Sequence, residues 1–251
     1  NNPQRARIRQ RYIIDRMLEN GFITAEEAAS AKEQELKIKS GNGKDLVHGD
    51  YVAEMVRQLM YNQYGDETYT RGLDVRTTIR TSDQNAAYKA LRRGVMDFER
   101  RQIYRGPEKF VVLPDAPTEL EEAIDDVVDD YPDNGDVMSA VVLEANTKKI
   151  KAMRQGGALV EITGEGLKPA QSGLSEKAPP NIKLRKGAVI RVSKTVKDTW
   201  EITQLPEVEG AFVALDPRDG SIKALVGGFD FGKNTFNHVT QAWRQPGPSF
   251  K

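Results

Sequence analysis

The sequence predicts an α+β chain in several pieces: helices at the front, a small β-barrel in the middle and a β-hairpin near the end. Three observations carry this. Apolar residues recur at helical spacing over residues 4–20 and 51–64. From Val137 onward the short strand-like stretches MSAVVLEA, KIKAM, ALVEIT, AVIRVSK and TWEITQ follow one another with turn residues between them. Finally, GAFVALD-PRDG-SIKALVGG reads as two strands joined by a turn built on Pro217 and Gly220.

Each element follows from local chemistry. In residues 4–20, Ile8, Tyr12, Ile13 and Leu18 stand among Arg and Gln, giving an amphipathic helix that Gly21 closes in the left-handed conformation. Thr24 and Glu27 have capping-box spacing and start a second, short helix. The stretch LKIKSGNGKDLVHG is polar and glycine-interrupted, as in a linker. Residues 51–64 set Val52, Met55, Val56, Leu59 and Met60 on one stripe. In LDVRTTI, Leu73, Val75, Thr77 and Ile79 alternate as a strand, expected to pair with residues 211–227. Thr81 and Gln84 form another capping box, ahead of a long helix to about Arg101. Thr118 and Glu121 do the same for a helix carrying Leu120, Ile124, Val127, Val128 and Tyr131. A Pro/Gly/Ser-rich loop, GLKPAQSGLSEKAPPN, separates ALVEIT from AVIRVSK. Short strands with one helix fit a five-stranded barrel of the OB type best.

Composition narrows the function classes. Lysine plus arginine and aspartate plus glutamate both total 37, against the basic excess that phosphate neutralisation favours, so no nucleic-acid partner is expected. There is no cysteine, which excludes disulfides and thiolate metal sites; no cofactor and no metal is expected. No run approaches the roughly 18 apolar residues of a membrane span, and no signal peptide is visible, so a membrane anchor is absent from this stretch. The opening NNPQRARIRQRY is already helical in pattern, and the closing SFK reads as a helix beginning, so neither end is expected to be a natural terminus. EEAIDDVVDDYPDNGD lacks the ligand spacing of a calcium loop and is broken by Pro132, which makes it a solvated acidic helix face. His48 and His238 have no ligand set or triad around them. Arg5, Arg7, Arg9 and Arg11 read as a solvated basic face.

NHVTQAWRQPGPSFK is the most informative stretch. Many acyl-transfer enzymes set a nucleophilic serine at the start of a helix with a lysine one turn later. Positions i and i+3 lie about 300° apart around the helix and so share a face. The amine can then take up the serine proton, and the helix N-terminus aims N–H groups at developing negative charge.

With these stretches in view, the chain resembles class A penicillin-binding proteins of the 1a type, the bifunctional peptidoglycan synthases of the bacterial envelope. NPQRARIRQRYIIDRMLENGFIT resembles the end of that family's glycosyltransferase domain. RGLDVRTTIRTSDQNAAYKALRRGV resembles the strand and helix leading into its transpeptidase domain, and YRGPE the opening of an inserted OB-like module. EGAFVALDPRDGSIKALVGGFDF with AWRQPG resembles the strands that run to its Ser-x-x-Lys motif. The resemblance implies C-terminal helices of a glycosyltransferase domain at 1–35, a linker at 36–49 and the first part of a transpeptidase domain at 50–106. It further implies an OB-like inserted domain at 107–205, and transpeptidase again at 206–251. For a parent protein it implies glycan polymerisation from lipid II and D-Ala-D-Ala cross-linking of stem peptides. That parent would sit on the periplasmic side of the bacterial inner membrane, anchored by an N-terminal helix outside this chain.

The sequence departs from the family at the nucleophile. In the family the residue after Gln-Pro-Gly is the serine that β-lactams acylate; here it is Pro248. Lys251 stands where the motif lysine belongs, but Ser249 is only two positions before it, about 200° round the helix, and does not substitute. Ser40-Gly41-Asn42 and Lys194-Thr195 are chance fragments of the family's later Ser-x-Asn and Lys-Thr-Gly motifs, which belong downstream. The chain alone is therefore expected to be inactive, with β-lactams bound only if a nucleophile is present. A different class of function is binding: the OB-like module as a recruiter of a regulatory envelope protein or a peptidoglycan strand. A third is a plain spacer. Trp200 is the lone aromatic residue in 137–204, which leaves no stacking platform for nucleic acid.

Overall fold

The computed structural model describes residues 3–34 and 47–243. Helix α1 (Pro3–Glu19) closes as expected: Gly21 has φ 70°, and the Gly21 and Phe22 amides reach back to the carbonyls of Leu18 and Met17. Helix α2 (Ala25–Glu33) opens on the expected capping box, Thr24 and Glu27 each bonding the other's backbone N–H. The two pack together with Ile14 and Ala28 buried, while Ile8, Tyr12 and Ile13 stay exposed. Helix α3 (Asp50–Tyr64) runs into a 3-10 turn at Gly65–Tyr69, and α4 (Thr81–Glu99) is the long helix.

The middle of the chain is one antiparallel sheet. It comprises β1 (Lys109–Phe110), β2 (Met138–Ala145), β3 (Lys149–Met153), β4 (Leu159–Thr163), β5 (Ala188–Lys194) and β6 (Trp200–Thr203), with helix α5 (Pro117–Asp130) between β1 and β2. The order is β1-β5-β2-β3-β4, and β6 pairs with β5. Ala140, Val142, Ile150, Ile162, Ile190 and Ile202 fill a core on one face. Val141 and Val189 point the other way, against Leu113 and against Ile124 and Val128 of α5. Strands β2 and β5 are thus covered on both faces, which is why they read as near-continuous apolar runs.

The OB-type barrel expected from the sequence does not close: among the described residues no ladder joins β4 to β6. Gly164, at φ 54°, turns the chain out of β4 into a 3-10 turn (Gly164–Ala170) and a short helix α6 (Gln171–Leu174), where the sequence suggested only loop. That turn plugs the gap. A Cβ on Gly166 would come within 2.3 Å of the Trp200 carbonyl oxygen and 2.9 Å of Ile162 Cγ2.

Two capping assignments change. Helix α4 starts with Arg80 as N-cap and no side-chain bond, so Thr81 and Gln84 make no capping box. Helix α5 starts on Pro117 at its first turn, after Ala116, which places Thr118 inside the helix. Nor is the acidic face of α5 wholly solvated. Asp125 is buried and accepts the Gly156 N–H at 2.7 Å, Asp129 accepts from Gln155 Nε2 at 2.8 Å, and past the end of the helix Asp133 pairs with Arg154 at 2.7 Å. The acidic ridge holds the 154–157 loop.

Strands β7 (Phe212–Leu215) and β8 (Ile222–Val226) form the expected hairpin, turning through Gly220 at φ 72°. LDVRTTI does not form the strand its alternation suggests. It runs beside β8 with two hydrogen bonds, Thr78 Oγ1 to the Ile222 carbonyl at 2.7 Å and the Arg80 N–H to the Lys223 carbonyl at 3.3 Å. Leu73 and Val75 remain exposed along an open groove that they share with Val52, Val56 and Met60 of α3, so the alternating face is only partly covered.

Candidate functional site

Pro248, Ser249 and Lys251 lie outside the described residues, as do Ser40-Gly41-Asn42 and most of the expected linker. The structure does place the path toward them, from β8 to Trp243, and the residues that hold that path.

Helix α4 buries three polar side chains: Gln84 (0% exposed), Arg92 (4%) and Glu99 (2%). At eight- and seven-residue steps they fall within about 80° of one another around the helix. Gln84 bonds the backbone of Leu225 in β8 and the His48 carbonyl. Arg92 reaches Asn134, Asp136 and the Phe229 carbonyl. Glu99 accepts from Arg105 at 2.5 Å and from Gln204 Nε2 at 2.7 Å, the two places where the chain enters and leaves the six-stranded sheet. One helix face therefore mounts the hairpin, the sheet and the segment after β8.

Past β8, Gly227 and Gly228 let the Tyr51 ring lie directly on the backbone; a Cβ on Gly228 would come within 2.3 Å of its hydroxyl oxygen. The Tyr51 hydroxyl donates to the Asn234 carbonyl at 2.7 Å. Burial, with Glu209, Asp230 and Asp50 nearby, pushes this hydroxyl up to about 12, so it stays a donor. Asn237 is buried and accepts the Val239 N–H on its side chain and the Gln241 N–H on its carbonyl. The His238 N–H and Nδ1 both lie 2.9 Å from the Gly227 carbonyl oxygen. A carbonyl only accepts, so Nδ1 carries the proton.

The two histidines are thus framework residues, His48 stacking on Tyr88 with ring centroids 3.6 Å apart. Among the described residues no group of His, Asp and Glu is placed to hold a metal. No helix among them is long and apolar enough to cross a membrane. Sequence reasoning missed Tyr51, Gln84, Arg92 and Asn237. The one available signal was the Gly227-Gly228 pair directly after a strand, a mark of close approach.

Comparison with known proteins places this geometry. Residues 104–208 match the family described as the penicillin-binding protein OB-like domain. Penicillin-binding protein 1A of Neisseria lactamica is 39% identical over 251 residues, all of this chain and 31% of that protein. Its counterpart in Escherichia coli strain K12 is 34% identical over 254 residues, covering 98% of this chain and 30% of that protein. The crystal structure of penicillin-binding protein 1A from Haemophilus influenzae superposes with a TM-score of 0.72 at 27% identity, over 96% of this chain and 35% of that one. The chain therefore spans about a third of the length of the relatives it matches. Residues 104–208 are thus similar to the penicillin-binding protein OB-like domain family, and the whole chain to one stretch of penicillin-binding protein 1A.

Proposed function

We propose that this chain is the central stretch of a bifunctional peptidoglycan synthase, acting on lipid II and on peptidoglycan stem peptides at the periplasmic side of the bacterial inner membrane. The observation that carries the reading is the match to penicillin-binding protein 1A along all 251 residues. Residues 1–35 then close a glycosyltransferase domain, 36–49 link it onward, and 50–106 with 206–251 begin a transpeptidase domain around the OB-like insertion at 107–205. Lys251 is the motif lysine, and Pro248 occupies the nucleophile position.

Incubation with a fluorescent penicillin, followed by intact mass, tests the site: no covalent adduct is expected. A stoichiometric adduct on Ser249 would overturn the helix-register argument. The wider reading is tested by the nucleotide sequence beyond residue 251. Ser-x-Asn and Lys-Thr-Gly are expected there in that order, and their absence ends the transpeptidase assignment.

A second role, contact with a regulatory envelope protein or a glycan strand, has one observation in its favour. Beside the Gly164–Ala170 turn lies a cleft of about 890 Å³ lined by Arg100, Glu161, Lys168 and Trp200. Retention of an envelope protein by the chain, lost in Trp200→Ala, supports this role; retention unchanged in that variant removes the cleft from consideration.

A further inference from the structure

The turn at 134–136 of the OB-like domain is fastened to the segment that leaves β8, and Arg92 is the fastening. Arg92 is 4% exposed, yet all five of its guanidinium N–H donors are used. Nε donates to Asp136 Oδ1 at 2.9 Å, and Nη2 to the same oxygen at 2.5 Å and to the Asn134 carbonyl at 2.8 Å. Nη1 donates to Asn134 Oδ1 at 3.0 Å and to the Phe229 carbonyl at 3.2 Å. The Phe229 ring lies 4.0 Å from the guanidinium carbon and the Tyr88 ring 5.5 Å from it. Asn134 adds a direct link, its Nδ2 donating to Asp230 Oδ2 at 2.5 Å. Gly135, at φ 59°, folds the turn over the guanidinium, where a Cβ would lie 3.4 Å from Nη2.

These partners come from three places in the chain: the middle of α4, the turn before β2, and the first residues after Gly228. A planar, five-donor group is what such a three-way joint requires. A lysine ammonium carries the same charge with three donors on one atom and cannot span it.

We propose that Arg92 is a positioning residue, locking the segment that leaves β8 to the OB-like domain, so that the 134–136 turn sets the pose of residues 229–243. That this segment approaches an acyl-transfer motif rests on the function proposed above; the joint itself does not. The OB-like domain is then more than a spacer, because a displacement of its 134–136 turn moves Phe229 and Asp230 with it.

Amide hydrogen exchange on the whole 251-residue chain tests this. In Asn134→Ala, at a partly exposed site chosen to preserve folding, peptides covering 227–241 should exchange at least about tenfold faster while β2 and β5 keep their protection. Arg92→Lys should do the same, since charge alone does not make the joint. Unchanged exchange at 227–241 in Asn134→Ala overturns the proposal. So does full protection in Arg92→Lys, or acceleration spread evenly through β2 and β5, which marks a merely structural residue. The readout needs neither penicillin nor a nucleophile, so its failure and the failure of the acyl-transfer reading are separate results.

Discussion

Gln84 holds Leu225 by both of its backbone groups: the Leu225 N–H donates to Gln84 Oε1 at 2.9 Å, and Gln84 Nε2 donates to the Leu225 carbonyl at 2.8 Å. A side-chain amide here does what a paired strand would do. The same nitrogen also donates to the His48 carbonyl at 2.6 Å. Replacing Gln84 by leucine fills the space but leaves these buried groups unpaired, at about 1–3 kcal/mol each where water cannot reach them. Gln84→Leu is expected to lose about 2–4 kcal/mol in urea unfolding; a loss below about 0.5 kcal/mol would show that water enters and replaces the amide.

His48 gives the fold a pH dependence. Burial, aided by Arg92 and Lys89 and opposed by Asp50, holds its pKa below the ordinary 6.5. A base whose folded pKa is depressed favours the fold in its neutral form. Its contribution is present above the unfolded value and is lost as pH falls through the lower folded one. Between about pH 7 and pH 5 the melting temperature should fall more steeply for the native chain than for His48→Asn. Parallel curves would show that the ring titrates freely.

Gly166 sets how the sheet is plugged. Its Cβ would meet backbone, the Trp200 carbonyl at 2.3 Å and Glu201 Cα at 3.2 Å, so no rotamer change can make room. Gly166→Ala is expected to cost about 2–4 kcal/mol and to accelerate amide exchange first at β6 and the Gly164–Ala170 turn. A variant as stable as the native chain would mean that the plug can back away at little cost.

The Tyr51–Gly228 contact predicts non-additive substitutions. In Gly228→Ala the new methyl group collides with the Tyr51 hydroxyl, 2.3 Å away. Tyr51→Phe removes that oxygen but also its bond to Asn234. The double variant should be more stable than the sum of the two single losses by about 1 kcal/mol or more, measured by urea unfolding. Strict additivity would place the two side chains out of contact.

These contacts also explain what could be read ahead of the structure. Thr24 and Glu27 were legible because the whole interaction lies within one helical turn. The same spacing at Thr81 and Gln84 misleads, because Gln84 is claimed by carbonyls 36 and 141 residues away. The strands β2 to β6 were legible from short apolar stretches set between turns, but whether the sheet closes depends on Gly166 meeting Trp200, a contact no local pattern encodes. LDVRTTI alternates but makes only two hydrogen bonds beside β8, too few for a ladder, so the pattern alone did not make a strand. Around the candidate site, Arg92 reads as one more basic residue of an exposed helix; only the turn at 134–136 gives its charge a purpose.

Arg105 and Gln204 stand side by side, the Arg105 N–H donating to Gln204 Oε1 at 3.0 Å, with Glu99 gripping both. About a hundred residues thus leave the helix–hairpin scaffold and return through one narrow neck. Such a neck makes the OB-like domain a cassette: any fold whose own ends meet can be grafted between those two residues without stretching the scaffold. What a substitute cassette would not bring is a counterpart to Asn134 and Asp136, so it would fit the neck and leave Arg92 unanswered.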